Sequence, residues 1–80
     1  MNPSFIELTI GNHQILHGFD HHNNEILEKV QVANPQKKLI NVQRILSLSE
    51  RFILTTYGFD RLIYWEYEED YETVKKLMGM

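Results

Sequence analysis

The sequence predicts an α+β fold, in which a small, strongly bent antiparallel sheet of four or five strands is followed by a C-terminal α-helix. Short runs of β-branched and aromatic residues alternate with Gly, Asn and Pro along most of the chain, as in antiparallel sheets. Only the segment after Asp70 has the three- and four-residue spacing of an amphipathic helix. A sheet of this kind can also curl into a barrel-like form, and the pattern leaves that alternative open.

Size and composition limit the possible classes of protein. The chain has 80 residues, which fits a single domain over residues 1–80, and it has no cysteine for a disulfide or a thiolate ligand. It lacks both a run of about 20 apolar residues and the basic and apolar regions of a signal peptide. We therefore expect a cytoplasmic protein without a membrane partner. The net charge of −3 disfavours nonspecific binding to nucleic acid.

The first half of the chain predicts strands joined by turns. Residues 5–10 predict a strand that ends in a turn at Gly11 and Asn12, with a short return strand at Ile15 and Leu16. Residues 17–36 are ambiguous, because an asparagine cap favours a helix whereas the alternation in residues 28–32 favours a strand. We prefer a strand over residues 26–32. The turn signal at residues 34–35 predicts a hairpin onto residues 38–41.

The second half gives stronger signals. Residues 39–40, 45–48 and 52–57 predict strands, and residues 58–61 predict a turn whose glycine, Gly58, is able to take a positive φ. The returning strand over residues 62–67 places Ile63, Trp65 and Tyr67 on one face. Asp70 is the expected N-cap of a helix over residues 71–78. The helix face that we expect to dock on the sheet consists of Tyr71, Val74, Leu77 and Met78.

Several of these segments resemble short prokaryotic and phage-encoded proteins that include the flagellar FlbD-like family. The resemblance lies in the first strand, in an Ile-Asn-Val-x-x-Ile motif over residues 40–45, in the threonine-rich strand and glycine turn of residues 54–58, and in the acidic-aromatic helix start over residues 69–77. It covers about half of the chain in separate pieces. It implies a β-rich domain with a C-terminal helix, a bacterial or phage origin and a non-enzymatic accessory role.

All four histidines fall within residues 13–22. On a continuous helix, His13, His17 and His21 would stack at four-residue intervals and bind zinc or nickel. Because Gly11 and Gly18 oppose such a helix, we instead predict a polar surface loop that holds no metal and no cofactor. Histidines titrate between about pH 5 and 8, so we expect this segment to be sensitive to pH.

The hairpin over residues 57–67 carries the predicted interaction surface. Its members are Tyr57, Phe59, Tyr64, Trp65 and Tyr67. Aromatic side chains on a sheet can stack on the bases of single-stranded nucleic acid, but such platforms carry cations between the rings. Here the neighbouring residues 66–72 are mostly acidic, and we interpret them as a solvated rim that caps the helix. Contact with protein, or burial in the core, is therefore the preferred interpretation.

The sequence favours a non-enzymatic module that acts by binding. Ser47 and Ser49 have no base at a useful spacing, and no glycine-rich phosphate loop is present, so we predict that the chain is not an enzyme. A small sheet leaves edge strands unpaired, which predicts a homodimer or larger oligomer and an unidentified protein partner. One alternative is a nucleic-acid-binding regulator, and it requires three arginines gathered on one face, away from the acidic run. These are Arg44, Arg51 and Arg61. The other is a metal or small-ligand binder that uses the histidines.

Overall fold

The computed structural model describes residues 4–80 and consists of six β-strands, a 3₁₀ turn and one α-helix. The strands are β1 (Phe5–Phe19), β2 (Glu25–Val30), β3 (Gln36–Asn41), β4 (Ile45–Leu48), β5 (Phe52–Tyr57) and β6 (Arg61–Tyr67), and the helix is α1 (Tyr71–Leu77). All strand pairs are antiparallel, in the order β2-β1-β6-β5-β4, with β3 also paired to β1. The α+β prediction is confirmed. The number of strands is six rather than four or five, and the sheet is open rather than barrel-like.

The first strand is much longer than predicted. β1 continues through Gly11 and Asn12 for 15 residues, so the predicted turn and the separate return strand are wrong. Its pairing with β6 passes from Ile10 opposite Tyr67 to His13 opposite Trp65, which leaves one extra residue in β1. This is a β-bulge, which bends a strand without ending it. Gly11 and Asn12 therefore lie in a bulge and not in a turn. The strand continues through them because other strands pair with both edges of β1.

The bulge also changes which residues of β1 face the core. Before it, the even-numbered Ile6, Leu8 and Ile10 are buried. After it, His13 pairs with Trp65 and Ile15 with Ile63, so odd-numbered residues of β1 lie on the face that Ile10 occupies, while Leu16 is equally buried on the other face. An extra residue reverses the two-residue alternation of a strand. His13 is thereby brought to the same face as Trp65.

The next two strands lie one after the other along the same edge of β1. β2 pairs with residues 13–19 and β3 with residues 5–10, and the intervening residues 31–35 form a short loop. The predicted strand at 26–32 is confirmed over residues 26–30, which belong to β2, but residues 31–32 lie in the loop. The predicted hairpin at residues 34–35 is wrong, because β2 and β3 both pair with β1. A Cβ added to Gly11 would lie 3.2 Å from Val32 Cγ2, so a glycine here lets the loop pack closely on β1.

The last three strands form an antiparallel meander in which β4 pairs with only part of β5. β5 pairs with β6 along its whole length, from Phe52 opposite Glu66 to Tyr57 opposite Arg61. β4 pairs only with residues 53–55 of β5. The end of β5 therefore has no strand beside it on that edge within residues 4–80.

The helix closes one end of the core. Asp70 is its N-cap and accepts a hydrogen bond from Glu72 N at 3.2 Å, as predicted. Val74 is fully buried and Met78 packs partly against the core, but Leu77 is 40% exposed, so its predicted place on the docking face is wrong. The buried cluster consists of Ile6, Leu8, Ile10, Ile40, Ile53, Tyr67 and Val74. Within residues 4–80 there is no helix of the length and apolar character that crossing a membrane requires.

Candidate interaction site

The turn between β5 and β6 holds two non-glycine residues in a left-handed backbone conformation. Arg61 N donates a hydrogen bond to Gly58 O at 3.3 Å, and the two central residues, Phe59 and Asp60, both have φ of +59°. Gly58, although able to take a positive φ, does not do so here. Positive φ at both central positions is the pattern of a type I′ turn, for which Asn-Gly is the preferred sequence. Phe59 thus occupies a position for which its side chain is poorly suited.

The side chains around this turn form an exposed group that we name the tip cluster (Tyr57, Phe59 and Arg61). The Arg61 guanidinium carbon lies 4.8 Å from the centroid of the Tyr57 ring and 5.6 Å from that of Phe59. Arg61 Nε also donates to Gly58 O at 2.8 Å, which fixes the side chain between the two rings. Phe59 is 94% exposed and Tyr57 is 42% exposed. The cluster thus combines two accessible rings with a cation in a defined position.

The other aromatic residues of the predicted surface are distributed over both faces of β6. Tyr64 lies on the face opposite Trp65, and its ring meets that of Phe52 edge-on at 6.5 Å between centroids. Tyr67 is buried, and its hydroxyl donates to the carbonyl oxygen of Ser49. The two-residue period of a strand accounts for this separation. Tyr67 therefore supports the core and offers no ring to a partner.

Trp65 is half-buried on the core face, between two residues that come from other strands. Its ring centroid lies 4.5 Å from that of His13, and Lys38 Nζ lies 5.3 Å from it. The ring is thus held by a histidine from β1 and by a cation–π contact from β3. The sequence prediction omits Lys38. The two-residue period of β3 could have indicated its position, because Lys38 lies on the same face of the strand as the buried Ile40.

Two hollows adjoin Trp65 and Lys38. The first, of about 370 Å³, lies beside the loop over residues 31–35 and includes His13 and Lys37. The second, of about 490 Å³, lies between β3 and β5. It is lined by Phe5, Lys38, Leu39, Ile40, Asn41, Arg44, Thr55, Thr56, Tyr57 and Trp65. We name this second hollow the β3–β5 cleft.

The three arginines of the nucleic-acid alternative do not share one face. Arg44 reaches the β3–β5 cleft from the 3₁₀ turn over residues 42–44, which Asn41 caps by accepting a hydrogen bond from Gln43 N. Arg61 belongs to the tip cluster and contacts Tyr57, which also lines the cleft. Arg51 instead pairs with Glu66 at 3.1 Å. Two of the three therefore lie near the cleft together with Lys38, whereas the third is engaged by the acidic rim.

The histidines do not converge. His13 and His17 belong to β1, so the predicted surface loop is wrong for both of them. His17 Nε2 lies 2.8 Å from Glu28 Oε1, whereas the His21 ring packs on that of His22 at 4.0 Å. An extended strand separates residues four apart by about 13 Å, too far for a shared ligand. Residues 4–80 contain no group of three or more His, Cys, Asp or Glu placed to hold a metal ion.

The acidic rim is used largely for structure. Both carboxylate oxygens of Glu69 lie 2.9 Å from Thr9 N, which donates to them and ties the rim to β1. Glu72 pairs with Lys75 at 3.3 Å. Burial raises the pKa of the Tyr67 hydroxyl, and the nearby Tyr71, Asp70 and Glu50 raise it further. These contacts stabilise the start of α1 and the adjoining core.

No protein-family model, curated protein or solved structure matches this chain. The functional inferences therefore rest on the tip cluster and the β3–β5 cleft.

Proposed function

We propose that this chain is a non-catalytic interaction module that binds a protein partner and also associates with itself. Self-association uses the tip cluster. The observation that carries the proposal is Phe59, a large apolar side chain that is 94% exposed at the end of a hairpin. Aromatic residues and arginine are enriched in protein interfaces and carry much of their binding energy. The tip cluster has this composition, and the Arg61 guanidinium lies within cation–π distance of both rings.

The backbone of the turn supports the same interpretation. A left-handed conformation costs a residue with a Cβ about 1–2 kcal/mol, and a bulky side chain suits it least. In a domain with a total stability of about 5–15 kcal/mol, this is a substantial penalty. A phenylalanine at φ +59° is explained if its ring stabilises the self-associated form by more free energy than the strained backbone costs the fold.

The open sheet gives a reason for binding a separate protein. β3 pairs with β1 on one side only, and β5 extends beyond β4, so strand edges remain unpaired within residues 4–80. Proteins with such edges protect them or pair them with another chain. The resemblance to FlbD-like and phage-encoded accessory proteins fits the same proposal, because it implies a module of bacterial or phage origin without chemistry of its own.

The proposal is tested by measuring the mass of the purified protein by light scattering over a range of concentrations. We expect a dimer or larger species that is insensitive to salt, and Phe59→Ser should reduce it to a monomer with unchanged folding. Phe19→Ser is the matched control, because Phe19 is also exposed, at 58%, but lies at the end of β1. A monomeric wild type, or equal effects of the two substitutions, would contradict self-association through the tip.

A nucleic-acid-binding regulator is the second candidate, because Lys38, Arg44 and Arg61 lie around the exposed aromatic residues of the cleft and the tip. The net charge of −3 and the engagement of Arg51 by Glu66 weigh against it. Titration of a fluorescent oligo(dT) at two salt concentrations tests this candidate. Binding that falls steeply with salt and is lost in Arg44→Glu would favour it over the protein-binding module.

A further inference from the structure

The β3–β5 cleft adjoins the free edge of β3 and the end of β5 that β4 does not cover. The cleft is lined by residues 38–41 of β3 on one side and residues 55–57 of β5 on the other. The opposite edge of β3 is paired with β1, and β4 leaves the end of β5 uncovered. Backbone N–H and C=O groups at such an edge can pair with an extended segment from another chain, which then becomes an added strand.

The side chains around these edges are basic and aromatic. Lys38 Nζ lies over the Trp65 ring at 5.3 Å, and Arg44 lines the same cleft. Lys37, the next residue of β3, is 76% exposed at its side chain and has only a distant ion pair, 4.0 Å from Glu7. The cleft therefore concentrates positive charge in a chain whose net charge is −3.

The charges also limit which segment can occupy the cleft. If β3 paired with a second copy of β3, their lysines would approach one another, and like charges opposite each other destabilise a sheet. Lysines on an edge strand are a common protection against such self-pairing. They do not oppose a strand that carries carboxylates, since its side chains would form favourable cross-strand pairs.

We propose that the β3–β5 cleft binds an extended acidic segment of a partner protein, which adds as a strand to β3. Alternate side chains of the added strand point to the core face, where their carboxylates meet Lys38 and Arg44. The other side chains point outward beside Lys37. This inference rests on the proposed function as a protein-binding module and specifies the chemistry of the partner.

A peptide explains the cleft better than a nucleic acid does. Both are compatible with cations and with an exposed ring. Only a peptide backbone supplies N–H and C=O groups at the spacing of a strand edge, so only a peptide satisfies the unpaired groups of β3.

Trp65 provides the measurement, because it is the only tryptophan in the chain. Its emission should change saturably when the protein is titrated with a peptide of about eight residues, the usual length of a strand, that alternates glutamate with valine. A matched peptide that alternates lysine with valine should bind at least about tenfold more weakly, which corresponds to about 1.4 kcal/mol. An acidic peptide with proline at alternate positions should also lose binding, because proline cannot donate to the ladder.

Variants then locate the site, with anisotropy of a labelled acidic peptide as the readout. Lys38→Glu with Arg44→Glu should weaken binding by about tenfold or more, on the expectation of a modest contribution from each ion pair. Lys29→Glu with Lys76→Glu is the control, since it makes the same charge change on β2 and α1. If the first double variant does not fold, Lys38→Gln with Arg44→Gln serves in its place.

Several results would overturn the proposal. These are equal binding of the acidic and basic peptides, undiminished binding of the proline peptide, equal loss in the two pairs of charge variants, or tighter binding of oligo(dT) than of the acidic peptide. Phe59→Ser keeps the two hypotheses distinguishable, because it should abolish self-association and leave the peptide affinity within about twofold, the scale of a surface substitution. Self-association without peptide binding would overturn only the inference about the cleft, whereas peptide binding by a monomeric wild type would overturn only association through the tip.

Discussion

Phe59 and Asp60 hold the turn between β5 and β6 in a backbone conformation that lowers the stability of the fold. Both residues have φ of +59°, and neither has the flexibility of glycine that this conformation favours. Asp tolerates the left-handed region better than Phe does, because its short side chain can form local hydrogen bonds. The strain is therefore concentrated at the residue whose ring is most exposed.

We expect Phe59→Asn with Asp60→Gly to stabilise the fold while removing self-association. The change supplies the preferred type I′ sequence and should raise the free energy of unfolding by about 1 kcal/mol, measured by urea denaturation. Asp60→Gly alone is the control, because it relaxes the backbone and keeps the ring. If the double variant and Asp60→Gly alone were both less stable than the wild type, the turn would not be strained.

Tyr67 should make stability fall at alkaline pH. Burial raises the pKa of its hydroxyl above the ordinary value of 10.0. An acid whose folded pKa is raised contributes stability below its unfolded pKa, and that contribution is lost as the pH rises through the folded pKa. Stability should therefore fall above about pH 10.

The matched substitution is Tyr67→Phe, which removes the hydroxyl that donates to Ser49 O. It should cost about 1 kcal/mol near neutral pH, where the hydrogen bond is intact, and show a shallower loss between about pH 9 and 11. Tyr64→Phe serves as control for the other tyrosines. The measurement is the free energy of unfolding by urea at both ends of this pH range. If the wild type, Tyr67→Phe and Tyr64→Phe lost equal stability between the two pH values, Tyr67 would not be the group responsible.

At the scale of the elements, β1 organises the sheet because it has partner strands on both sides. Its first half pairs with β3, its second half with β2, and its other edge with β6. Two irregularities shape it, the bulge after Ile10 and a second shift of register between Leu16 and Phe19. Gly18, with φ of +130°, lies within the second.

Gly18→Ala should therefore destabilise the protein by about 1–3 kcal/mol, because the backbone at this position strongly disfavours a Cβ. The space around it is open, with no atom within 4 Å of an added Cβ, so the effect isolates backbone conformation from crowding. Gly58→Ala is the control, since Gly58 has no positive φ and its added Cβ would meet only Arg61 Nη2 at 3.8 Å. Thermal denaturation of both variants tests the prediction, and equal melting temperatures would refute it.

At the scale of the whole molecule, the acidic rim and the cations of the cleft and the tip have different surroundings. α1 and the acidic rim cover one end, through Val74 in the core and the hydrogen bond from Thr9 N to Glu69. Lys38 and Arg44 line the β3–β5 cleft, and Arg61 belongs to the tip cluster. Because Glu69, Asp70 and Glu72 make contacts that stabilise the fold, we propose that an incoming partner meets the cations of the cleft and the tip.

The sequence by itself determined the local features of this protein. The strands β5 and β6, the N-cap at Asp70 and the α+β class all follow from patterns within a few residues of each other. Propensity, alternation and capping act over such distances. These features could therefore be predicted without any knowledge of tertiary pairing.

Tertiary pairing decided the rest. Gly11 and Asn12 have the composition of a turn, but the strands on both sides of β1 made them a bulge, and the extra residue brought His13 to Trp65. Lys38 reaches the same ring from a strand that is distant in the sequence. The candidate cleft is defined by strand edges that remain unpaired, and which edges remain unpaired depends on how all six strands pair.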